Sequence, residues 1–275
     1  MAVDFEALAN SGMSADQLAN IFLQEYSADK EVSYPINPFQ ILTNLGIPFV
    51  LRPFKKYEGI YIPAAGEGDF PIVGINLNRP ITRQRYTAAH ELCHHLKDVR
   101  SGFMCAINAK SEIEKYAEAF ASELLMPTAE LRKQVQKYEQ NGCIDLDGVI
   151  KVADYFGVSF QSCLFKIAYR LHKIKGDTDP ETLRKIAGKY KPSIKRKELG
   201  MYDTILYEQL FDAIGDNFKL KVNPTTNQKN IIRGNKYRIS ILTERLIRFE
   251  YNESGIFEDL PTEFAWNRNF PDVNY

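Results

Sequence analysis

The stretch "RYTAAHELCHHLKD", residues 85–98, gathers three of the chain's four histidines beside a glutamate. His90 and His94 are four residues apart, so on a helix their imidazoles leave one face a turn from each other, as two ligands of one ion must. Glu91 leaves from the adjoining flank. In a His-Glu-x-x-His zinc hydrolase this spacing lets two neutral imidazoles hold the ion, while the glutamate, which cannot easily fold back onto it, stays available to take a proton from water. Such a centre needs a third protein ligand and one open position. The competing reading is an exposed helix with solvated histidines. Against it stand Ala88, Leu92, Leu96 and Val99, an apolar stripe roughly opposite the histidine face that lets the helix bury one side and present the other to a cleft.

Candidates for the third ligand follow in Asp98, Glu112, Glu114, Glu118 and Glu123. Asp98, one turn past His94, is placed to approach the ion, to orient a histidine or to lie in solvent. The segment "SEIEKYAEAFASELLMP" is the better source, because Ile113, Ala117, Phe120 and Leu124 define a buried stripe and Glu114 and Glu118 stack one turn apart on its flank. Ser111 and Glu114 also match a capping box, in which the glutamate only satisfies the helix start. Spacing alone leaves cap and ligand both open.

The elements that must position these groups read as α+β. Residues 4–27 have helix-compatible apolar spacing, and "NPFQILTNLG" is a punctuated helix with Asn37 as N-cap, Pro38 at the first position and Gly46 past the end. "IPFVLRPF", "GIYIP" and "FPIVGINLN" read as three strands of a small antiparallel sheet, broken by prolines and by Gly66 and Gly68. In the third, Val73, Ile75 and Leu77 fall on one face and Gly74, Asn76 and Asn78 on the other, which suggests an open side. Helices are expected from Pro80 to Val99, Ser111 to Met126, Thr128 to Gln140, Leu146 to Phe156 and Phe160 to Ile174. A boundary is expected near Gly176, giving a first domain at 1–175, with a helix-turn-helix-like segment at 145–174, and a smaller mixed α/β accessory domain at 176–275. In the latter, Tyr237, Ile239 and Ile241 alternate with Arg238 and Ser240 as in an exposed hairpin.

Lys and Arg number 35, as do Asp and Glu, so no global field selects nucleic acid, membrane or an anionic substrate. The start of the chain has no basic, apolar leader and no apolar run reaches spanning length, so a cytoplasmic protein is expected. Cys93, Cys105, Cys143 and Cys163 lack C-x-x-C spacing and read as reduced thiols.

"RQRYTAAHELCHHL" followed by "EKYAEAFASELLMP" resembles the ImmA/IrrE family of zinc metallo-endopeptidases, whose members pair R-x-R-[FY]-T-x-A-H-E-x-x-H with a later E-x-x-A-x-x-F-A-x-x-L-L-M-P. The match is dense in those two blocks, extends loosely over residues 1–174 and does not cover the last hundred. The resemblance implies a zincin-like domain with His90 and His94 as zinc ligands, Glu91 as general base and Glu114, the first glutamate of the second block, as third ligand. The thermolysin-like group uses the same ligand set. Glu118 would then be placed to hold a ligand imidazole from behind, with an ordinary surface glutamate as the competing reading. Many relatives carry Gly where this chain has Cys93, which projects about 100° away from His94; His95 also points off the ligand face. Family members act on regulatory proteins, commonly helix-turn-helix repressors encoded nearby, in mobile elements or stress responses, and the same substrate class is implied here.

The implied reaction is peptide hydrolysis, with Glu91 moving the proton from water to the leaving amine. Strand 72–78, through Val73, Gly74, Ile75 and Asn76, is the expected substrate edge unless another segment covers it. Tyr57, Tyr61, Tyr86, Tyr116, His172 and nearby arginines are all eligible to stabilise an oxyanion. Two other classes compete. In "VADYFGVSFQSCLFKI", Ala153, Gly157 and Val158 have helix-turn-helix spacing, but Phe160, Leu164 and Phe165 are poor readers of base edges; the basic run "RKIAGKYKPSIKRKE" is the better footprint, and by default a solvated linker. A metal-binding sensor or scaffold that cleaves little is the other. The aromatic C-terminal segment around Trp266 reads either as a partner-binding surface or as part of a core.

Overall fold

The computed structural model describes residues 3–28, 31–64, 70–97, 103–106, 111–219, 225–257, 259 and 268–273, with only the main chain at 103–106 and 217–219. Asp98, Gly66, Gly68 and Trp266 lie outside the described residues, as does the side chain of Cys105. The chain divides into two compact units, Met1–Ile214 and Gly215–Tyr275.

The first unit opens with α1 (Phe5–Asn10) and α2 (Ala15–Ser27), where the sequence suggested one continuous helical stretch. The break falls at Gly12, whose φ of +89° ends a helix, and Ser14 with Gln17 starts the next through a full capping box. In α3 (Pro38–Asn44) Asn37 accepts from the Gln40 N–H, as its sequence requires. Three strands come next, β1 (Phe49–Arg52), β2 (Tyr57–Ile62) and β3 (Ile72–Asn76), then α4 (Ile81–Lys97) and β4 (Phe103–Ala106). The sheet order is β1-β3-β2-β4. It is mixed rather than antiparallel, because β2 lies beyond β3 and leaves β1 to pair with β3 in parallel, Phe49 opposite Val73. Helix α4 packs on β2 and β3 and against α5 (Glu112–Leu125).

Helix α6 (Thr128–Gln136) stops short of Gln140, since Asn141 and Gly142 at φ +52° and +82° turn a hairpin of β5 (Glu139–Gln140) and β6 (Cys143–Ile144). That Asn-Gly pair is a hairpin signal in its own right. Helix α7 (Leu146–Phe156) ends at Gly157 in the left-handed region, and α8 (Phe160–Lys166) follows, its continuation widened into a π turn at Ile167–Leu171. Phe160 and Leu164 are buried, so this face of α8 packs in the core. Helices α9 (Pro180–Tyr190) and α10 (Pro192–Glu198) follow, and α11 (Thr204–Lys219) closes the unit with its residues up to Ile214.

The division at Ile214 differs from the boundary expected near Gly176. Leu183, Ala187, Leu206, Leu210 and Ala213 are buried in the same core as α4, α5 and α7. The basic run is helical rather than a linker, and Arg196 pairs with Asp154 of α7 and with Asp203.

The second unit contains β7 (Ile231–Arg233), β8 (Tyr237–Thr243) and β9 (Leu246–Tyr251), an antiparallel sheet in that order. The expected alternation holds only at the start of β8, where Tyr237 is exposed and Arg238 and Ser240 are buried; Ile241 and Leu242 are both buried. Arg238 can be buried because Glu250 takes two of its N–H groups at 2.7 and 3.0 Å and Asp259 a third at 2.8 Å. No helix among the described residues is long and apolar enough to cross a membrane.

Candidate metal centre

Helix α4 carries a charged side chain through the core. Arg85 is fully buried, and its guanidinium donates to the main-chain oxygens of Gly157, Phe156 and Ile36 and to Gln209 Oε1. The carbonyls of Phe156 and Gly157 are the C-terminal end of α7, where a cation is favoured. Burial draws the Arg85 guanidinium down to about 9, against the opposing charge of Asp203. Gln84 holds the start of the helix through the carbonyls of Leu77 and Arg79. With Ala88, Leu92 and Leu96 also in the core, the azimuth of α4 is set.

That azimuth brings His90 and His94 towards α5. Ser111 caps α5 by accepting from the Glu114 N–H at 3.3 Å. The Glu114 carboxylate lies on the histidines, Oε2 at 3.1 Å from His90 Nε2 and Oε1 at 3.8 Å from His94 Nε2. The two Nε2 atoms are 3.2 Å apart. Cap and ligand were alternatives for this side chain on spacing; Ser111 alone supplies the cap, and the Glu114 carboxylate lies on the histidines instead.

All three residues are buried and their ligand atoms lie within 4.8 Å of one another. In a tetrahedral centre with bonds of about 2.0–2.1 Å, neighbouring ligand atoms are roughly 3.3 Å apart. Two observed separations, 3.1 Å from His90 Nε2 to Glu114 Oε2 and 3.2 Å between the two Nε2 atoms, lie near that edge, and two neutral imidazoles with one carboxylate are a donor set that could hold a divalent ion. Burial lowers the His90 pKa, while the Glu114 bond pulls the other way and the charge of His94 adds to the lowering. The net effect favours the neutral imidazole that a metal requires.

Glu91 is fully buried on the flank of the same helix and faces β2. A Cβ built on Gly59 would stand 2.2 Å from Glu91 Oε1 and 2.5 Å from the Thr87 methyl. Only glycine lets the strand pass this close. Gly59 was missed as a site residue, although a lone glycine inside a strand pattern, here "GIYI", signals such an approach.

The other acidic candidates are engaged elsewhere or lie apart. Glu112 is exposed and pairs with Lys115. Glu123 is buried 2.7 Å from Lys166 Nζ and also accepts from the Thr128 N–H and hydroxyl. Glu118 is exposed; its charge raises the His90 pKa and its main-chain oxygen accepts from the Tyr86 hydroxyl. Among the tyrosines considered for an oxyanion, Tyr61 meets His95 Nδ1 at 3.1 Å and Tyr116 donates to the Met13 carbonyl.

The substrate edge expected at Val73, Gly74, Ile75 and Asn76 is not an edge. β3 is paired on both sides, and all four residues are buried. Phe54 covers Gly74. The Asn76 amide donates to the carbonyls of Phe54 and Tyr57 at 3.0 and 2.8 Å and its oxygen accepts from the Asn78 N–H. Its polarity serves the turn.

No curated protein matches the chain. A family model described as the IrrE N-terminal-like domain, Peptidase_M78, matches residues 42–168. That span runs from the end of α3 through α8 and includes both histidines, Glu91 and Glu114. Residues 42–168 are thus similar to the IrrE N-terminal-like domain, Peptidase_M78, and they carry a buried His90, His94 and Glu114 group that could hold a metal ion.

Proposed function

We propose that the protein is a zinc-dependent endopeptidase that hydrolyses a peptide bond in a specific regulatory protein, with a helix-turn-helix repressor as the substrate class. The observation that carries this reading is the convergence of His90, His94 and Glu114 on one point, with the carboxylate of Glu91 on the flank of the same helix. A zinc ion held by these three residues would supply Lewis acidity for a carbonyl and for water. Glu91 then does the proton work: its carboxylate accepts a proton from the attacking water and returns it to the leaving amine. Its seat against Gly59 and Thr87 fixes where that carboxylate can be.

A cleft lined by Arg83 and Tyr86 of α4, Glu118 and Ser122 of α5, and Gln161 and Phe165 of α8 supports a peptide path along the α4–α5 seam. Tyr86 is one turn before His90, and Glu118 one turn after Glu114, on the same helical faces.

The test is metal analysis of protein purified without chelator, coupled to cleavage of co-expressed neighbouring regulators by wild type and Glu91→Gln. Bound zinc in both forms with cleavage only by wild type is expected. Cleavage that persists in a zinc-loaded Gln variant overturns Glu91 as base, and zinc without cleavage by either form replaces the peptidase reading with a metal-dependent sensor.

A further inference from the structure

We infer that the chain self-associates through one face of the β7–β8–β9 sheet, a second copy of the same chain covering it. On that face the cross-strand pairs are Tyr237 with Tyr251, Ile239 with Phe249, Ile241 with Ile247 and Ile232 with Ile239. Ile232, Tyr237, Ile247, Phe249 and Tyr251 are each between 40% and 62% exposed. The opposite face holds the polar side chains: Arg238 and Ser240 are buried, Glu250 and Asp259 bind Arg238, and the Phe257 ring lies 5.4 and 5.3 Å from the Arg233 and Arg238 guanidiniums.

An antiparallel sheet with one covered side ordinarily turns its apolar face inward and its charges to water. Here the charges are committed to the covered side, and on the apolar side Ile241 is buried while Ile232, Tyr237, Ile247, Phe249 and Tyr251 are left exposed. A sheet must bury its apolar face against something, and a unit of this size falls where oligomerisation commonly supplies the missing core.

The area identifies the occupant. At about 200 Å² for a large side chain, the exposed fractions of those residues amount to on the order of 500 Å² of mainly apolar surface. A standard interface buries about 800 Å² per partner, a little over half of it apolar. The patch is thus the apolar share of one half of an ordinary dimer. Its cross-strand positions carry no charge, so it offers no pattern that would select a partner of opposite sign, whereas two copies related by a two-fold axis present each other with the same rings and branched aliphatics. Sheet-on-sheet packing at the usual separation of about 10 Å is the arrangement that interdigitates them.

Sedimentation velocity of the full chain tests this. Wild type is expected at twice 31.5 kDa, with Phe249→Glu and, separately, Ile247→Lys weakening association at least about 30-fold, as loss of a central hot spot does, and leaving the far-UV spectrum unchanged. Hydrogen exchange needs no variant: main-chain amides of 246–251 should slow as the wild-type concentration rises. A wild type of 31.5 kDa at every concentration, a dimer indifferent to both substitutions, or concentration-independent exchange across β9 overturns the inference.

Discussion

Gly59→Ala should separate Glu91, the proposed general base, from the proposed metal ligands. The added methyl would lie 2.2 Å from Glu91 Oε1, 2.9 Å from Cδ and 2.5 Å from the Thr87 methyl. Non-bonded carbon and oxygen settle at about 3.3 Å or more, so the carboxylate must retreat by about 1 Å or the strand must move. His90, His94 and Glu114 are absent from the atoms that the new methyl meets first, so metal stoichiometry should hold. A misplacement of about 1 Å costs a reaction on the order of 10²-fold, equivalent to about 2.7 kcal/mol of barrier. Overpacking lowers stability by about 1–3 kcal/mol. The assay is the rate of regulator cleavage by purified protein, with zinc content and a denaturation curve measured on the same sample. Repeated in a Glu91→Gln background, the alanine should remove no further activity, because the group that it displaces is already disabled. Wild-type turnover by Gly59→Ala, or an undiminished second loss in the Gln background, would show that the strand does not seat Glu91.

Glu114→Ala should weaken zinc binding by more than about 100-fold, since even outer-shell partners are worth 10–100-fold; competition with a calibrated chelator measures it. Burial lowers the His90 pKa, as it does that of His95. In chelated protein the unfolded state therefore binds more protons below about pH 6.5. The stability owed to these rings is complete above that pH and is lost as the pH falls, which urea titrations at several pH values will show. Lys166→Met strands the buried Glu123 carboxylate and should cost about 3–5 kcal/mol at neutral pH. In wild type burial raises the Glu123 pKa, but Lys166 and Thr128 more than offset this and leave it below its usual value. That contribution is present above the unfolded carboxylate pKa and fades as pH falls through the folded one, so the gap between variant and wild type should narrow in acid. A chain ending at residue 175 loses Gln209 from Arg85 and the buried Leu183, Leu206 and Leu210, and is expected to be insoluble where the full chain is soluble, as centrifuged lysates will report.

The helix of the histidines was legible because helical periodicity is a local property. His90, Glu91 and His94 take their mutual arrangement from a repeat of 3.6 residues, which needs no knowledge of the rest of the chain. Caps are equally local, and Asn37, Ser111 and Gly157 act where their types indicate. The proposed third ligand was only half legible, because a Ser-x-x-Glu spacing suits a cap and a metal alike. What decides Glu114 is the packing of α5 on α4, which brings its carboxylate to a histidine 24 residues away.

Strand alternation told which residues of β3 share a face but not which strands flank it, and pairing on both sides removed the expected substrate edge. The closing helices were misread for a related reason. A charge run reports the solvent side of a segment, whereas its membership of a core is decided by Leu183 and Arg196 meeting residues far off in the chain. Gly59 shows both levels at once. The glycine was visible in its strand, but what it makes room for could be known only when β2 lay against α4. Backbone geometry repeats along the chain and can be read from it, while steric complementarity exists only between surfaces that folding has brought together.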